Sequence, residues 1–585
     1  MAWAGLGRRR HVMRTSKRIS INAVTSWVAN IVSAAMGLVI VPFLLATVGK
    51  EGYGLCSLAA AIVSLTVSVD LGLQFALSRH IAAHMARQDT ARVNELFTTS
   101  LAILMSVAAI SAGACFVLAR PLVSAFNIPE SLAGEGVFMI RWYAGVSIPL
   151  AFVAVACRSA LAGRNRFDVL NGIRGVFAVL QGVAILAILA LTKWGIYGWA
   201  LAMLASQAGN LLAAGYAVRR FCPEVRVRPG FFKPEAMREL MSLGGLVFLL
   251  QLCGLVSVHA DPIILSCLLG PVAVALYAPS FALFRAAGPL VSVLTQQLHP
   301  LATSYHVAGR KEQLRELLIQ GTKYTMLLGV PVSVILGVLS EPIIKLWLGR
   351  QLGQGYLITA RVLAVWAVIQ LFSYAIGSQW PVLLGMAKLK FLAYVRVPLS
   401  LLNILASIIC VKYTSLGVLG VVVPTVVISA VRRVIVCVHV ARAVDLPVAS
   451  YFRQAYLRPL VVLVGLSAAA VGLKAALRPE SLPVLLAVTT AILLVWFGLL
   501  WSVGLSVADR KRVAGLLRHF AERIAGRWRA DEMCQGEDTQ VTEEPREIAP
   551  GMVCVRSAGD DTESLYASAD AAGQDVDSLI RSAKP

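Results

Sequence analysis

The sequence has few charged residues, and acidic ones are the scarcer kind. Only 14% of its 585 residues are Asp, Glu, Lys or Arg, whereas 58% are apolar. Soluble domains carry about 25% charged residues, so this composition excludes a soluble globular protein. The net charge of +22 would suit nucleic-acid binding, but the basic residues lie in short segments between apolar runs. We therefore expect a polytopic membrane protein that binds no nucleic acid.

Sequence signatures of catalysis are also missing. The segment Val48-Gly49-Lys50-Glu51 lacks the earlier glycine and the hydroxyl of a phosphate-binding loop, so ATP hydrolysis is not expected. We find no nucleophile elbow, no metal-spaced His/Glu set and no long soluble insertion that could house an active site. The ten cysteines are scattered without paired spacing, which predicts free thiols. We expect no enzyme activity, no cofactor and no metal site.

What the sequence does contain is long apolar runs, each able to cross a hydrocarbon core of about 30 Å as a helix. We predict an all-α fold of about fourteen transmembrane helices. The predicted spans are 20–46, 53–77, 97–119, 137–157, 171–192, 196–218, 242–268, 272–298, 322–340, 357–386, 397–411, 416–441, 459–476 and 482–507. The first run follows a basic segment, but it is too long for a signal peptide and is predicted to remain as a span.

An internal repeat divides this bundle into two halves. Residues 84–96 and 306–317 have the same order of charged residues, and six predicted spans separate them. An even number of spans puts both halves in the same orientation, so we predict two six-helix lobes in a pseudo-twofold arrangement, with two extra C-terminal helices. The predicted segments are a basic N-terminus (1–18), the first lobe (19–218), a linker (219–241), the second lobe (242–441) and the last two spans (442–507).

Lys and Arg are concentrated in alternate connections, which predicts that both termini are cytoplasmic. After the last span, residues 508–530 combine helical apolar spacing with several arginines, which is typical of an amphipathic helix on an anionic leaflet. Residues 531–585 are acidic and poor in large apolar side chains, so we predict a disordered tail. The tail either docks on basic loops or a partner enzyme, or has no role; the second alternative is favoured.

Ionisable residues lie inside the predicted hairpin of residues 242–298. A charge at the bilayer centre costs about 2.5–3.5 kcal/mol, so His259, Asp261 and Arg285 should face a protein interior or a wet cavity. Gln251 shares a helix face with Asp261, and Pro262 predicts a kink beside that carboxylate.

The first lobe has polar stripes of its own. Asn30 lies on one side of the first span with Ser33 and Gly37, and Arg174 lies with Gln181 on one side of the fifth. Close helix packing explains the small residues of these stripes. Packing does not require a guanidinium, so Arg174 and Arg285 are candidates for function.

Four short segments near the start of the chain resemble a known family. The residues that carry it are Pro42-Phe43-Leu44-Leu45, Gly49-Lys50-Glu51-Gly52-Tyr53-Gly54-Leu55, Asp70-Leu71-Gly72-Leu73 and Arg79-His80-Ile81-Ala82. Together they resemble the opening hairpin of O-antigen-type polysaccharide flippases, of the multidrug/oligosaccharidyl-lipid/polysaccharide exporter superfamily. The resemblance implies alternating access between two lobes in a bacterial cytoplasmic membrane. It also implies a polyprenyl diphosphate-linked glycan as substrate, membrane lipids around it, and glycosyltransferases or a polymerase as possible partners.

Anionic diphosphate requires a basic cavity, and the guanidinium fork matches phosphate oxygens in pairs. The candidates for substrate binding are Arg285 and Arg174, then Arg141 and Arg361, with Asn30 and Gln251. Arg141 and Arg361 lie near span ends, where snorkelling to the interface is an equal alternative.

For coupling to a proton or sodium gradient the first candidate is Asp261, with His259 as an accessory; a static pair with Arg285 or a buried structural carboxylate is an equal alternative. Asp70 ranks lower, because a structural cap or a pair with Arg79 explains it. Two other functions stay open: a cation exporter of the MATE kind, which the arginines disfavour, and a membrane scaffold for polysaccharide-synthesis enzymes.

Overall fold

The computed structural model describes residues 2–68, 70, 72–288, 295, 298–386, 390–507, 509–511 and 515, with three strands between 546 and 568. Side chains of residues 2–24, 27, 242–258, 299, 300, 390 and the strands lie outside this description. The helices are α1 (Ala2–Val67), α2 (Leu73–Ala86), α3 (Thr90–Ala125), α4 (Ala133–Phe138), α5 (Gly145–Gly163), α6 (Phe167–Leu191), α7 (Gly195–Phe221), α8 (Pro234–Leu269), α9 (Pro271–Ala287), α10 (Leu298–Val307), α11 (Lys311–Val338), α12 (Ser340–Leu352), α13 (Tyr356–Gly385), α14 (Lys390–Tyr413), α15 (Leu419–Ala443), α16 (Val448–Ala455), α17 (Leu457–Leu477) and α18 (Leu482–Leu499).

The all-helical membrane fold is confirmed. Eleven helical segments in the described part of the chain are long and apolar enough to cross a membrane, and His259–Leu269 and Pro271–Ala287 are shorter apolar helices. The first of the eleven, Val28–Val67, is 40 residues long and is broken at Gly49, whose φ of 72° and ψ of 179° are not helical. Glycine tolerates this backbone because it has no Cβ. The number fourteen itself stays a prediction.

One predicted span is interrupted. The sequence predicts an unbroken helix over 53–77, but α1 ends at Val67 and α2 begins at Leu73. Gly72 has a left-handed φ of 70°, and its N–H donates to Asp70 Oδ1 at 2.9 Å. The aspartate and the glycine together close the break, which apolar patterning cannot reveal.

The helices pack as two groups within residues 1–500, one compact unit. In the first group α1 packs on α6, α3 on α5, and α6 on α7; in the second, α11 packs on α13, and α14 on both α8 and α15. Each group has its own buried apolar core. The last two helices pack on each other, and α17 also packs on α11. Trp496 of α18 donates its indole N–H to the Leu327 carbonyl oxygen of α11 at 3.0 Å.

One region in which the two groups touch is the end of the bundle that carries Gly49 and Gly270, here called the turn end. Asn127 Nδ2 donates to the Cys267 carbonyl oxygen at 2.6 Å, and Trp347 Nε1 donates to the Leu38 carbonyl oxygen at 2.8 Å. A Cβ on Gly54 would lie 1.9 Å from the Pro271 carbonyl oxygen, so α1 and α9 meet backbone to backbone there. The opposite end, with residues 87–89 and 222–233, is called the linker end.

Residues 501–585 form a second unit. It contains the antiparallel strands β1 (Arg546–Ala549), β2 (Met552–Val555) and β3 (Leu565–Ser568) in that order. These strands lie in the tail for which the composition predicts disorder, and for the rest of the tail disorder stays a prediction. Most of the predicted amphipathic helix, 508–530, lies outside the described residues.

Candidate functional site

A cavity of about 430 Å³ lies inside the first lobe, between α1, α5, α6 and α7. Ser33, Met36, Gly37 and Ile40 of α1 form one wall, which is the small-residue side predicted from the sequence. These short side chains leave space beside α6, where longer ones would fill it. The polar groups that line the other walls are Arg158, Arg174, Gln181, Ser206, Gln207 and Asn210.

Arg174 is exposed and lines this cavity. Its Nη2 donates to Asn171 Oδ1 at 3.3 Å and to the Ser26 carbonyl oxygen at 3.5 Å. Both bonds are long and neither partner is a carboxylate, so the positive charge is not neutralised by them. The remaining donors of the guanidinium fork can bind an anion in the cavity.

Arg158 is the charged residue of the cavity lining that apolar patterning does not reveal; the polar Ser206, Gln207 and Asn210 are not among the predicted site residues either. Arg158 projects from α5, which continues to Gly163, whereas the predicted span ends at Cys157 and leaves the arginine outside. Its charge acts on Asp70, the residue that closes the α1–α2 break. Asp70 accepts the Gly72 N–H as the structural cap that the sequence offers as one alternative, and a role for it in ion coupling stays a prediction.

The cavity has one sign of charge. Two guanidinium groups face it, and among the described residues that line it none is acidic. Gln181, Ser206, Gln207 and Asn210 add amide and hydroxyl groups, which both donate and accept hydrogen bonds. Such a lining suits an anionic, hydroxyl-rich molecule and repels an organic cation.

The second lobe holds the predicted carboxylate. Asp261 is 1% exposed, and its Oδ2 accepts a hydrogen bond from the buried Tyr277 hydroxyl at 3.0 Å. Its Oδ1 is buried without a partner among the described residues. The hydrogen-bond partner of Asp261 is Tyr277 rather than Arg285, which leaves ion coupling and a buried structural carboxylate as the open alternatives. The side chain of Gln251 lies outside the described residues, and α8 continues through Pro262.

Arg285 is exposed, with its guanidinium carbon 5.9 Å from the centre of the Phe281 ring. His259 is buried and lies within electrostatic range of Arg285. Neither residue lines the first-lobe cavity. Arg174 therefore lines this cavity and Arg285 does not, and a substrate-binding role for Arg285 stays a prediction.

The remaining candidates are dispersed. Arg141 Nε donates to the Phe116 carbonyl oxygen at 3.2 Å near the turn end, and Arg361 is exposed on α13. Asn30 is half-buried on α1. None of the three lines the cavity, so a substrate-binding role for them stays a prediction.

Comparison with known proteins shows which family model and which solved folds this chain resembles. Residues 21–306 match the sequence model of the family described as "Polysaccharide biosynthesis protein". The fold is similar to that of the lipid II flippase MurJ in an inward closed conformation, with a TM-score of 0.61 and 14% identity over 82% of this chain and 99% of that one. It is also similar to an inward-facing MATE family multidrug resistance transporter of the MOP superfamily, with a TM-score of 0.60 and 14% identity over 72% and 98% of the two chains.

Two proteins that are related in sequence indicate which members of this fold the chain resembles. The "Uncharacterized membrane protein EpsK" of Bacillus subtilis is 22% identical over 57% of this chain, which spans 66% of that relative. The "Putative O-antigen transporter" of Shigella flexneri is 20% identical over 53% of this chain and 71% of that relative. The chain is a multi-pass membrane protein with the MATE and MurJ fold, and its predicted resemblance to the polysaccharide branch of this superfamily is confirmed.

Proposed function

We propose that this protein is a flippase that moves a lipid-linked oligosaccharide, a polyprenyl diphosphate-linked glycan, across the bacterial cytoplasmic membrane. The observation that carries the proposal is the first-lobe cavity with Arg158 and Arg174 and no acidic lining residue among those described. A diphosphate must be held by donors once it leaves water, because an unpaired charge in a low-dielectric layer is costly. Two guanidinium groups supply such donors, and the amide and hydroxyl groups suit a sugar.

Alternating access fits the contacts between the lobes. The turn end is held by a few hydrogen bonds and by the Gly54–Pro271 contact, which rigid-body movement of one lobe can release. In the proposed cycle the headgroup binds while the turn end is closed and leaves when it opens. With both termini cytoplasmic, the closed turn end lies on the outer side.

The proposed driving force is a proton or sodium gradient acting through Asp261. One oxygen of this buried carboxylate already has the Tyr277 hydroxyl as donor, and the other has no partner among the described residues. Binding of a proton or a small cation would satisfy the second oxygen and remove the cost of a buried, half-paired charge. His259 stays an accessory in this scheme.

Proteoliposomes containing a fluorescent polyprenyl diphosphate-linked oligosaccharide test the proposal. A membrane-impermeant quencher added outside reports the fraction of lipid that has moved between leaflets. We expect wild-type protein to equilibrate the leaflets and the double variant Arg158→Met with Arg174→Met to lose this activity. Arg453→Met is the matched control, because Arg453 is exposed, does not line the cavity and is not a candidate for substrate binding.

Equal activity of the double variant and the wild type would contradict the assignment of the cavity. Transport of an organic cation, with no movement of the glycolipid, would favour the MATE-like alternative. The scaffold alternative predicts no glycolipid movement by any variant, and loss of surface glycan in cells when residues 531–585 are removed.

A further inference from the structure

Two histidines and a glutamate meet at the linker end, away from the cavity. His80 and His84 lie one turn apart on α2, and Glu239 reaches them from α8. His80 Nδ1 is 3.0 Å from Glu239 Oε1, and His84 Nε2 is 3.7 Å from the same oxygen. One ligand atom from each of the three residues lies within 4.8 Å of the other two.

These separations suit a small tetrahedral ion. Zinc binds nitrogen and carboxylate oxygen at about 2.0–2.2 Å, which places neighbouring ligand atoms about 3.3–3.6 Å apart. The two distances from Glu239 Oε1 bracket this range. Histidines four residues apart project from the same helix face, so α2 supplies two ligands without any change in its backbone.

The neighbours of the cluster orient its ligand atoms. His84 Nδ1 is 3.3 Å from Asp89 Oδ2, and a proton held on Nδ1 by this carboxylate leaves the Nε2 lone pair facing Glu239. Arg92 Nη2 donates to Glu239 Oε2 at 2.6 Å, while its Nη1 donates to Glu95 at 2.7 Å. The arginine therefore fixes one oxygen of Glu239 and leaves the other, Oε1, directed at the histidines.

The side chains are also sheltered from water. His80, His84 and Glu239 are 12%, 16% and 29% exposed, and His80 Nε2 is buried without a hydrogen-bond partner among the described atoms. A solvated surface ion pair would not need this shelter. Partial exposure of Glu239 leaves room for a water molecule as the fourth ligand, since three protein ligands and one water are common for zinc.

We propose that His80, His84 and Glu239 form a binding site for a divalent first-row transition ion of the Zn²⁺ type. The site joins α2 of the first lobe to α8, the helix that begins the second lobe. A bound ion would hold these two helices together at the linker end. Sequence spacing alone does not predict the site, because Glu239 lies far along the chain from the histidine pair.

Zinc binding by the purified full-length chain tests the site. The protein carries a tag without histidine, is stripped with EDTA and is titrated with ZnCl₂ against a chromophoric chelator. We expect one ion per chain in the wild type, loss of this binding in His84→Ala and Glu239→Gln, and a roughly 10- to 100-fold weaker affinity in Asp89→Asn, which loses only the supporting carboxylate.

The internal repeat supplies the matched control. His306 occupies the position of His84 in the second copy and is exposed, so His306→Ala should bind zinc like the wild type. Gel filtration of every variant shows that loss of binding is not loss of folding, and His80→Gln repeats the test with a milder change. Absence of zinc binding by the wild type, or equal binding by folded His84→Ala and Glu239→Gln, would overturn the proposal.

Discussion

Arg174 in the first lobe and Arg433 in the second both lie on apolar helices, but their surroundings differ. Arg174 is exposed to a cavity and makes only long hydrogen bonds. Arg433 is 9% exposed, and its Nη2 donates to Ser373 Oγ at 2.6 Å. These two arginines therefore show two ways to place charge on an apolar helix: the first lobe leaves the Arg174 guanidinium available to a ligand, and the second bonds the Arg433 guanidinium internally.

The carboxylates show the same contrast. Asp70 in the first lobe accepts the Gly72 N–H and stabilises a break between helices. Asp261 in the second lobe has a tyrosine hydroxyl as its donor and no structural turn to cap. We infer that substrate binding belongs to the first lobe and ion coupling to the second. The following experiments test this assignment.

The largest expected difference in transport is between Arg174→Met in the first lobe and Arg433→Met in the second. Arg174→Met should weaken glycolipid binding roughly 10- to 100-fold, because a hydrogen bond to a charged group contributes about 1.5–3 kcal/mol. Arg433→Met should leave transport per folded molecule unchanged, since Ser373 Oγ also bonds to the Ile369 carbonyl oxygen and stays satisfied. Concentration dependence of flipping in proteoliposomes measures both. Equal losses would mean that both lobes bind substrate.

Gly54→Ala should loosen the contact between the lobes. A methyl group there would lie 1.9 Å from the Pro271 carbonyl oxygen, and overpacking typically costs about 1–3 kcal/mol. The closed state of the turn end should therefore be less populated. Distances between spin labels on residues 130 and 269, which are both exposed, measure the change, with Gly37→Ala as control because a Cβ at Gly37 meets nothing within 4 Å. Unchanged distances would exclude this contact as the gate.

Asp261→Asn should uncouple transport from the gradient. A gradient of one pH unit corresponds to about 1.4 kcal/mol, which is about tenfold in rate or accumulation. The wild type should respond to a proton or a sodium gradient by about this factor, whereas the variant should move substrate at one rate with or without it. Tyr277→Phe, which removes the donor but keeps the carboxylate, should retain the response. A gradient response in Asp261→Asn would place coupling elsewhere.

The smallest effect is expected outside the membrane, at the linker end. Arg164 donates to Glu224, and this hydrogen bond, against the opposing effect of burial, holds the pKa of the Glu224 carboxyl below its usual value. The pair should stabilise the fold by about 0.2–1 kcal/mol above the unfolded pKa of about 4.3. Because the folded pKa is lower, this contribution is lost as the pH falls through it. Glu224→Gln should lower Tm slightly at pH 7, with no change in transport.

Apolar patterning in this chain predicts the membrane helices better than it predicts the candidate site. Long apolar runs identify membrane helices because about twenty consecutive apolar residues, folded as a helix, match the thickness of the hydrocarbon core. The same patterning placed the α5 boundary at Cys157 and thereby lost Arg158, since a charge one residue beyond an apolar run resembles the start of a loop. It also missed the break at Asp70 and Gly72, which depends on a backbone turn within an apolar segment.

Composition and long apolar runs by themselves determined that this chain is a multi-pass helical membrane protein. Lipid requires backbone polar groups to be hydrogen-bonded within the protein, and a continuous run of about 20 apolar residues meets this requirement as a helix. The sequence also indicated that the charged side chains of Arg174 and Asp261 lie within membrane spans, where a charge costs free energy. Only the tertiary structure decided which polar side chains lie together. Arg174 and Arg158 line one cavity, Asp261 bonds to Tyr277, and Glu239 contacts His80. The reason is physical, since periodicity fixes the face of a helix on which a side chain lies, whereas helix packing fixes what that face touches.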